Sequence, residues 1–267
     1  MRAHIGEVIA IKRLTIFLTA VLILSLAGCG TDIPAPPQTS VPPTAATTPL
    51  PAPLEETTEP ASAGFVLEGV DAETVITYFE EVCLNAEFIN SGDPSFLQKW
   101  TEPICFTIYG TPTPEDLETL RSFTAWLNTV EGFPGISETD DPAEENLAIH
   151  FCTEKEMVAL MGDRFYGNDG AVTFWYLEDK IYRAIICCRS DIGQQLRNSV
   201  ILEELYNGLG PIQDTTLRPD SIIWSGYSDP QTLTEIDELI LRLLYHPRME
   251  CGMDAQACAD VIREIYQ

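Results

Sequence analysis

Histidine is nearly missing from this chain. Three occur, His4, His150 and His246, and no two lie within a helical turn of each other. A zinc site built on imidazoles needs convergent ligands in one place, and this spacing does not supply them. Basic residues are also few, 15 against 41 acidic ones, for a formal net charge of −26. Such a surface repels phosphates, so no nucleic-acid partner is expected. CxxC is absent, as are a Gly-rich phosphate loop and GxSxG, which removes the usual zinc, nucleotide and serine-hydrolase signatures and leaves no cofactor motif. No apolar run is long enough to span a bilayer as a helix.

What is present begins with Lys12 and Arg13, then an apolar run from Leu14 to Leu26 and "LAGCG". A basic start, a short apolar core and small residues before a cleavage point describe a secretory signal. "LAGC" resembles the bacterial lipobox. That resemblance implies cleavage before Cys29, diacylation of its thiol and attachment to the lipid bilayer on the extracytoplasmic face of the cell membrane. One acyl chain anchors weakly, so the second matters for stable attachment. Cleavage there removes Arg2, Lys12, Arg13 and Glu7, leaving 12 basic and 40 acidic residues, or −28. The bilayer contact therefore rests on the lipid and not on charge.

Residues 31–64 hold nine of the 19 prolines among Thr and Ala, with few large apolar side chains. They cannot bury enough surface to offset ordering entropy and favour extended conformations. The expected organisation is a signal over 1–28, a disordered stalk over 29–64 and one domain over 65–267. A Pro-recognition ligand is the alternative for the stalk, but its usual readers are cytosolic.

Seven cysteines besides Cys29 remain: Cys83, Cys105, Cys152, Cys187, Cys188, Cys251 and Cys258. In an oxidising compartment some are expected to pair, and the odd count leaves at least one over. Cys251 and Cys258, flanking the start of the last helix, are the first choice. Cys187 and Cys188 are consecutive in an expected strand and point to opposite faces.

Helical spacing runs through 71–89 behind Asp71, through 114–130 behind a Pro and two acids, and through 193–209. It returns in 233–245, where Thr234 and Asp237 form an Asp variant of the capping box, and in 253–266 behind Asp254. Residues 103–110 and 146–152 read as strands, and 172–188 as a hairpin turning at Glu178-Asp179-Lys180. The expected fold class is α+β, with a mixed sheet, a central buried helix and C-terminal helices. The edge of "NLAIHFC" (146–152) is expected to be free to accept an extended peptide.

The helix at 193–209 is apolar on nearly all sides, with Leu196, Val200, Ile201, Leu202, Leu205 and Leu209, which implies a buried position. It also carries Glu203 and Glu204. "EELYNGLGPIQ" resembles the H-E-x-x-H-x-x-G-x-x-H frame of metzincin peptidases. Laid over that frame, Glu203, Asn207 and Gln213 stand where the three zinc-binding histidines would. Glu204 stands at the general base and Gly210 at the bend. "DSIIW" (220–224) takes the place of the Met-turn without its Met. The series "EEL…LG…D…SI…LT…D…L…LYHP…GM" resembles more closely an uncharacterised family of bacterial exported proteins in which this zincin-like frame lacks its histidines. The resemblance implies a fold without a reaction.

Three roles for the paired carboxylates stay open. They are a retained acid/base pair in a cleft, an architectural charge tied to Arg183, Arg189, Arg197 or backbone amides, or, with Asn207, Gln213 and Asp214, an oxygen cage for a hard cation such as Ca²⁺. His246 with Cys251 or Cys258 is a further conceivable metal set. The "WSGYSDP" loop is expected near the cleft rim. The expected function is non-catalytic binding of a peptide, a cell-wall fragment or a partner protein. The alternative is a metal-dependent hydrolase using Glu204 as base with non-standard ligands.

Overall fold

The computed structural model describes residues 66–84, 96–226 and 229–267. The signal, Cys29 and the stalk lie outside these residues. So do Tyr227 and Ser228 of the "WSGYSDP" loop and the stretch of the first expected helix beyond Leu84.

Six helices and six strands follow in mixed order. They are α1 (Ala72–Leu84), β1 (Lys99–Trp100), β2 (Ile104–Gly110), α2 (Pro114–Leu127), β3 (Ile136–Glu138), β4 (Leu147–Cys152), α3 (Glu154–Met161), β5 (Gly170–Leu177), β6 (Lys180–Arg189), α4 (Gln194–Gly208), α5 (Glu235–Tyr245) and α6 (Ala255–Ile265). A short 3-10 turn, Asp163–Phe165, separates α3 from β5.

The caps at Asp71, Thr234 and Asp254 were readable, and those at Thr113 and Thr153 join them. Asp71 accepts from Thr74 N at 2.7 Å, Asp254 from Ala257 N at 2.9 Å, and Thr234 donates through both N and Oγ1 to Asp237 Oδ2. Thr113 and Thr153 form reciprocal capping boxes with Asp116 and Glu156. Each cap satisfies backbone donors that a helix start leaves open. The hairpin also turns where expected, with Glu178 and Asp179 at φ 52° and 61°, the left-handed pair that a tight two-residue hairpin requires.

The sheet is mostly parallel, a correction to the expected α+β arrangement. β3, β2, β4 and β6 are parallel neighbours in that order. β1 lies parallel to Lys180 and Ile181 at the start of β6, and β5 runs antiparallel along β6 from Gly170 to Leu177. β4 is therefore interior, bonded to β2 on one side and β6 on the other, and has no edge to offer a peptide. Its apolar run "LAIHFC" is that of a strand covered on both faces. The edge next to β6 belongs to β5.

Alternation divides the sheet. Phe106, Ile149, Phe151, Val172, Phe174, Ala184, Ile186 and Cys188 point into the main core, where α2 and α4 pack. Ala171 and Cys187 point the other way, into a small cluster with Met157 and Phe165. Cys187 and Cys188 thus occupy opposite faces, as consecutive strand residues must. Among the described residues no helix is long and apolar enough to cross a membrane.

Candidate functional site

α4 runs through the centre, as its all-round apolar pattern implied. Glu203, Glu204 and Asn207 are 2 %, 1 % and 1 % exposed. Glu204 is aimed at the sheet: a Cβ added to Gly170 would stand 2.6 Å from Glu204 Oε1 and 2.5 Å from Val200 Cγ1. Only a glycine at the start of β5 leaves room for that carboxylate. Asn207 Oδ1 and Ser199 Oγ are buried without a hydrogen bond among the described residues.

The helix ends at Gly208, two residues before Gly210. Gly210 has φ 138°, and a side chain there would meet Gln98 O at 2.8 Å and Leu244 Cδ2 at 2.9 Å. Beyond it Gln213 is half-buried, and its N–H donates to Val82 O at 3.3 Å. The C-terminus of α4 is tied down from two sides. Trp100 Nε1 donates to Gly208 O at 2.9 Å, and Tyr245 Oη to Leu209 O at 2.8 Å. These bonds satisfy carbonyls that a helix end leaves open.

The arginines proposed as anchors for the glutamates have other contacts. Arg197 lies one turn into α4 and gives its Nε to Asp116 Oδ1 at 2.8 Å, its Nη1 to Ser190 O at 2.8 Å, and its Nη2 to Gln194 Oε1. Arg189 pairs with Asp191, Glu154 and Asp169. Arg183 lies over the Trp175 ring, 5.6 Å from its centroid. Burial pushes the Asp116 carboxyl up, but bonds from Thr113 N, Gln194 and Arg197 outweigh it, and the net direction is down.

A second buried network went unread in the sequence beyond its cap. Tyr78 Oη donates to Ser221 Oγ at 2.8 Å, which donates to Asp237 Oδ1 at 2.6 Å. Asp237 also accepts from Ile222 N at 3.2 Å and from Thr234, while Tyr206 Oη donates to its backbone oxygen. "DSIIW" is thereby fastened to α1 and α5, and α5 in turn to α4. Burial raises the Asp237 carboxyl despite these donors.

Among the described residues no three of His, Cys, Asp and Glu converge as a metal-binding group. The aligned set of Glu203, Asn207 and Gln213 brings one carboxylate and two amides, a poor set for zinc. His246 follows α5 and accepts from Arg248 N at 3.2 Å, and burial lowers its pKa. His150 stacks on Tyr109 with ring centroids 4.7 Å apart. Cys251 and Cys258 are free thiols, not joined as the expected disulfide: Cys251 Sγ donates to Lys99 O at 3.8 Å, and Cys258 is buried, which pushes its pKa up to about 12.

A groove of about 360 Å³ lies between α2, α4 and the segment leading into α5, with Phe123, Trp126, Leu202 and Leu233 as its apolar wall and Glu118 and Glu238 at its rim. Gln231 and Thr232, just past the "WSGYSDP" loop, complete it.

A family model described as a protein of unknown function (DUF2927) matches residues 72–264, nearly the whole of the described domain. The comparison with curated proteins finds no match.

Proposed function

We propose that this chain, which belongs to the DUF2927 family, is a membrane-anchored extracytoplasmic lipoprotein whose zincin-like domain binds an extended peptide without cleaving it. Lipid on Cys29 and the proline-rich stalk hold the domain off the bilayer. The histidine positions of the metzincin frame are filled by Glu203, Asn207 and Gln213, so the helix keeps its place in the fold while the zinc chemistry is gone.

The observation that carries the binding role is the edge of β5. Among the described strands it has one neighbour, β6. Its sequence, "GAVTFWYL", has eight residues and contains neither charge nor proline. Soluble proteins blunt a long apolar edge with Lys, Pro or a bulge, because an open one pairs with any passing strand. This edge carries one bulge, between Trp175 and Tyr176, and no Lys or Pro; Gly170–Phe174 before the bulge are buried, so pairing there requires the cover over that edge to open. Arg189 N donates to Asp169 O, which makes Gly170–Cys188 a wide pair and directs the N–H and C=O of Val172 and Phe174 away from β6. An extended ligand would bond to those groups, gaining affinity from main chain alone and needing no metal.

The test uses a library of unmodified extended heptapeptides against the purified full chain. Peptides that bind should lose binding when N-methylated at alternate positions in one register, and keep it when methylated in the other. Binders insensitive to methylation in both registers would overturn strand addition. Zinc-dependent cleavage of any library member would overturn the non-catalytic reading.

A further inference from the structure

We propose that Cys152 and Cys187, thiols on adjacent strands of one sheet face, form a reversible redox pair. The register fixes their relation. His150 stands opposite Cys187 and Cys152 opposite Arg189, so Cys152 and Cys187 are diagonal neighbours on the same face of β4 and β6. Cys187 is fully buried among Met157, Phe165 and Ala171, and Cys152 packs against that cluster while staying half-exposed. The two thiols are close enough for each to shift the other's ionisation.

That proximity divides the roles. The Cys187 side chain lowers the Cys152 thiol, and Cys152 together with burial raises Cys187. Burial raises Cys83, Cys188, Cys251 and Cys258 as well. The thiolate is the nucleophile, and an accessible thiol of lowered pKa beside a buried partner is the arrangement that reacts. The oxidant is a disulfide, either protein or low-molecular-weight. The Cys152 thiolate attacks one of its sulfurs, forming a mixed disulfide and releasing the other sulfur as a thiolate. Cys187 then gives up its proton and attacks Cys152 Sγ, which closes the intramolecular bond and releases the second thiolate. Two protein thiols are oxidised, one disulfide is reduced to two thiols, and the balance is complete.

Geometry makes this pair reversible and unlike a structural cross-link. Diagonal Cα atoms on neighbouring strands stand roughly 7–8 Å apart, at or past the usual disulfide limit of about 7 Å. Closing the bond draws the ends of β4 and β6 together, and a strained disulfide is the more easily reduced. The inference stands independently of the peptide reading.

The full chain would be equilibrated across a series of oxidised-to-reduced glutathione ratios, quenched with an alkylating agent and mapped by peptide mass. Cys152 and Cys187 should lose their alkylatable thiols together and appear as one reductant-sensitive linked pair, with Cys83, Cys188 and Cys258 still free. In Cys187→Ser, Cys152 should accumulate a mixed disulfide with glutathione that the wild type resolves. In Cys152→Ser, Cys187 should take up none. A glutathione adduct persisting on Cys152 in the wild type would overturn the proposal. So would linkage of Cys152 or Cys187 to any other cysteine, or two free thiols across the whole series.

Discussion

Arg197 and Asp116 meet at 2.8 Å inside the protein, with side chains 8 % and 1 % exposed, and join the first turn of α4 to the first turn of α2. Gln194 Nε2 reaches the same Asp116 oxygen at 2.7 Å. The carboxylate thus serves as capping partner of its own helix and as anchor for the helix beside it.

Removing one partner of such a pair leaves a buried charge uncompensated. Asp116→Ala should cost about 3–5 kcal/mol. Asp116→Asn keeps the shape and some of the bonds and should cost less. Denaturant unfolding of both variants measures this, with an unchanged slope as the sign that only stability moved.

The same carboxylate sets a pH dependence. Its folded pKa lies below its unfolded value. The stability it contributes is therefore full above about pH 4, the ordinary Asp value, and is lost as pH falls through the folded pKa. Asp237 has the opposite sign, because burial raises it, so its titration disfavours the fold as pH rises through the folded pKa. Melting temperatures from pH 2 to 7 should show the gap between wild type and Asp116→Asn closing at the acid end. For Asp237→Asn the deficit should narrow toward neutral pH.

Glu204 and Gly170 should be energetically coupled. Gly170→Ala drives a methyl into Glu204 and Val200 and should cost about 1–3 kcal/mol by overpacking. Glu204→Ala should itself lower the melting midpoint, and Glu204→Gln should lower it less. In the double variant Gly170→Ala/Glu204→Ala the costs should fall short of additivity by at least about 0.5 kcal/mol. Strict additivity would mean that the carboxylate does not pack where the structure places it.

Anchoring is testable at one atom. The wild type should label with fatty acid and partition into detergent, and Cys29→Ser should do neither. Equal labelling of the two would remove the lipid from the account.

Much of the domain was legible because its signals are local. Asp71, Asp254 and Thr234 mark helix starts that a sequence can announce, and the apolar belt of α4 announces a buried helix. β1 and β3, with two and three residues, are too short to carry a period, and α3 offers eight residues in which "EKE" hides the single buried Met157. Strand order is the larger loss. Nothing in "NLAIHFC" says which strands flank it, so its apolar run fits an interior strand as well as an edge. The site divides the same way. Gly210 at the bend is what the resemblance to the metzincin frame implies, whereas Asp116 and Arg197 are 81 residues apart and meet only through packing. Cys152 and Cys187 likewise needed the register of β4 and β6 before they stood together.

The most direct test of the peptide-binding reading is amide hydrogen exchange across β5, measured residue by residue with and without a library peptide that binds. Val172 and Phe174, whose N–H groups point away from β6 but are buried, should exchange alone through opening of that edge, and slow markedly with peptide. Ala171 and Thr173, bonded to β6, should change little. Protection appearing elsewhere, with Val172 and Phe174 unchanged at saturating peptide, would contradict binding at the β5 edge.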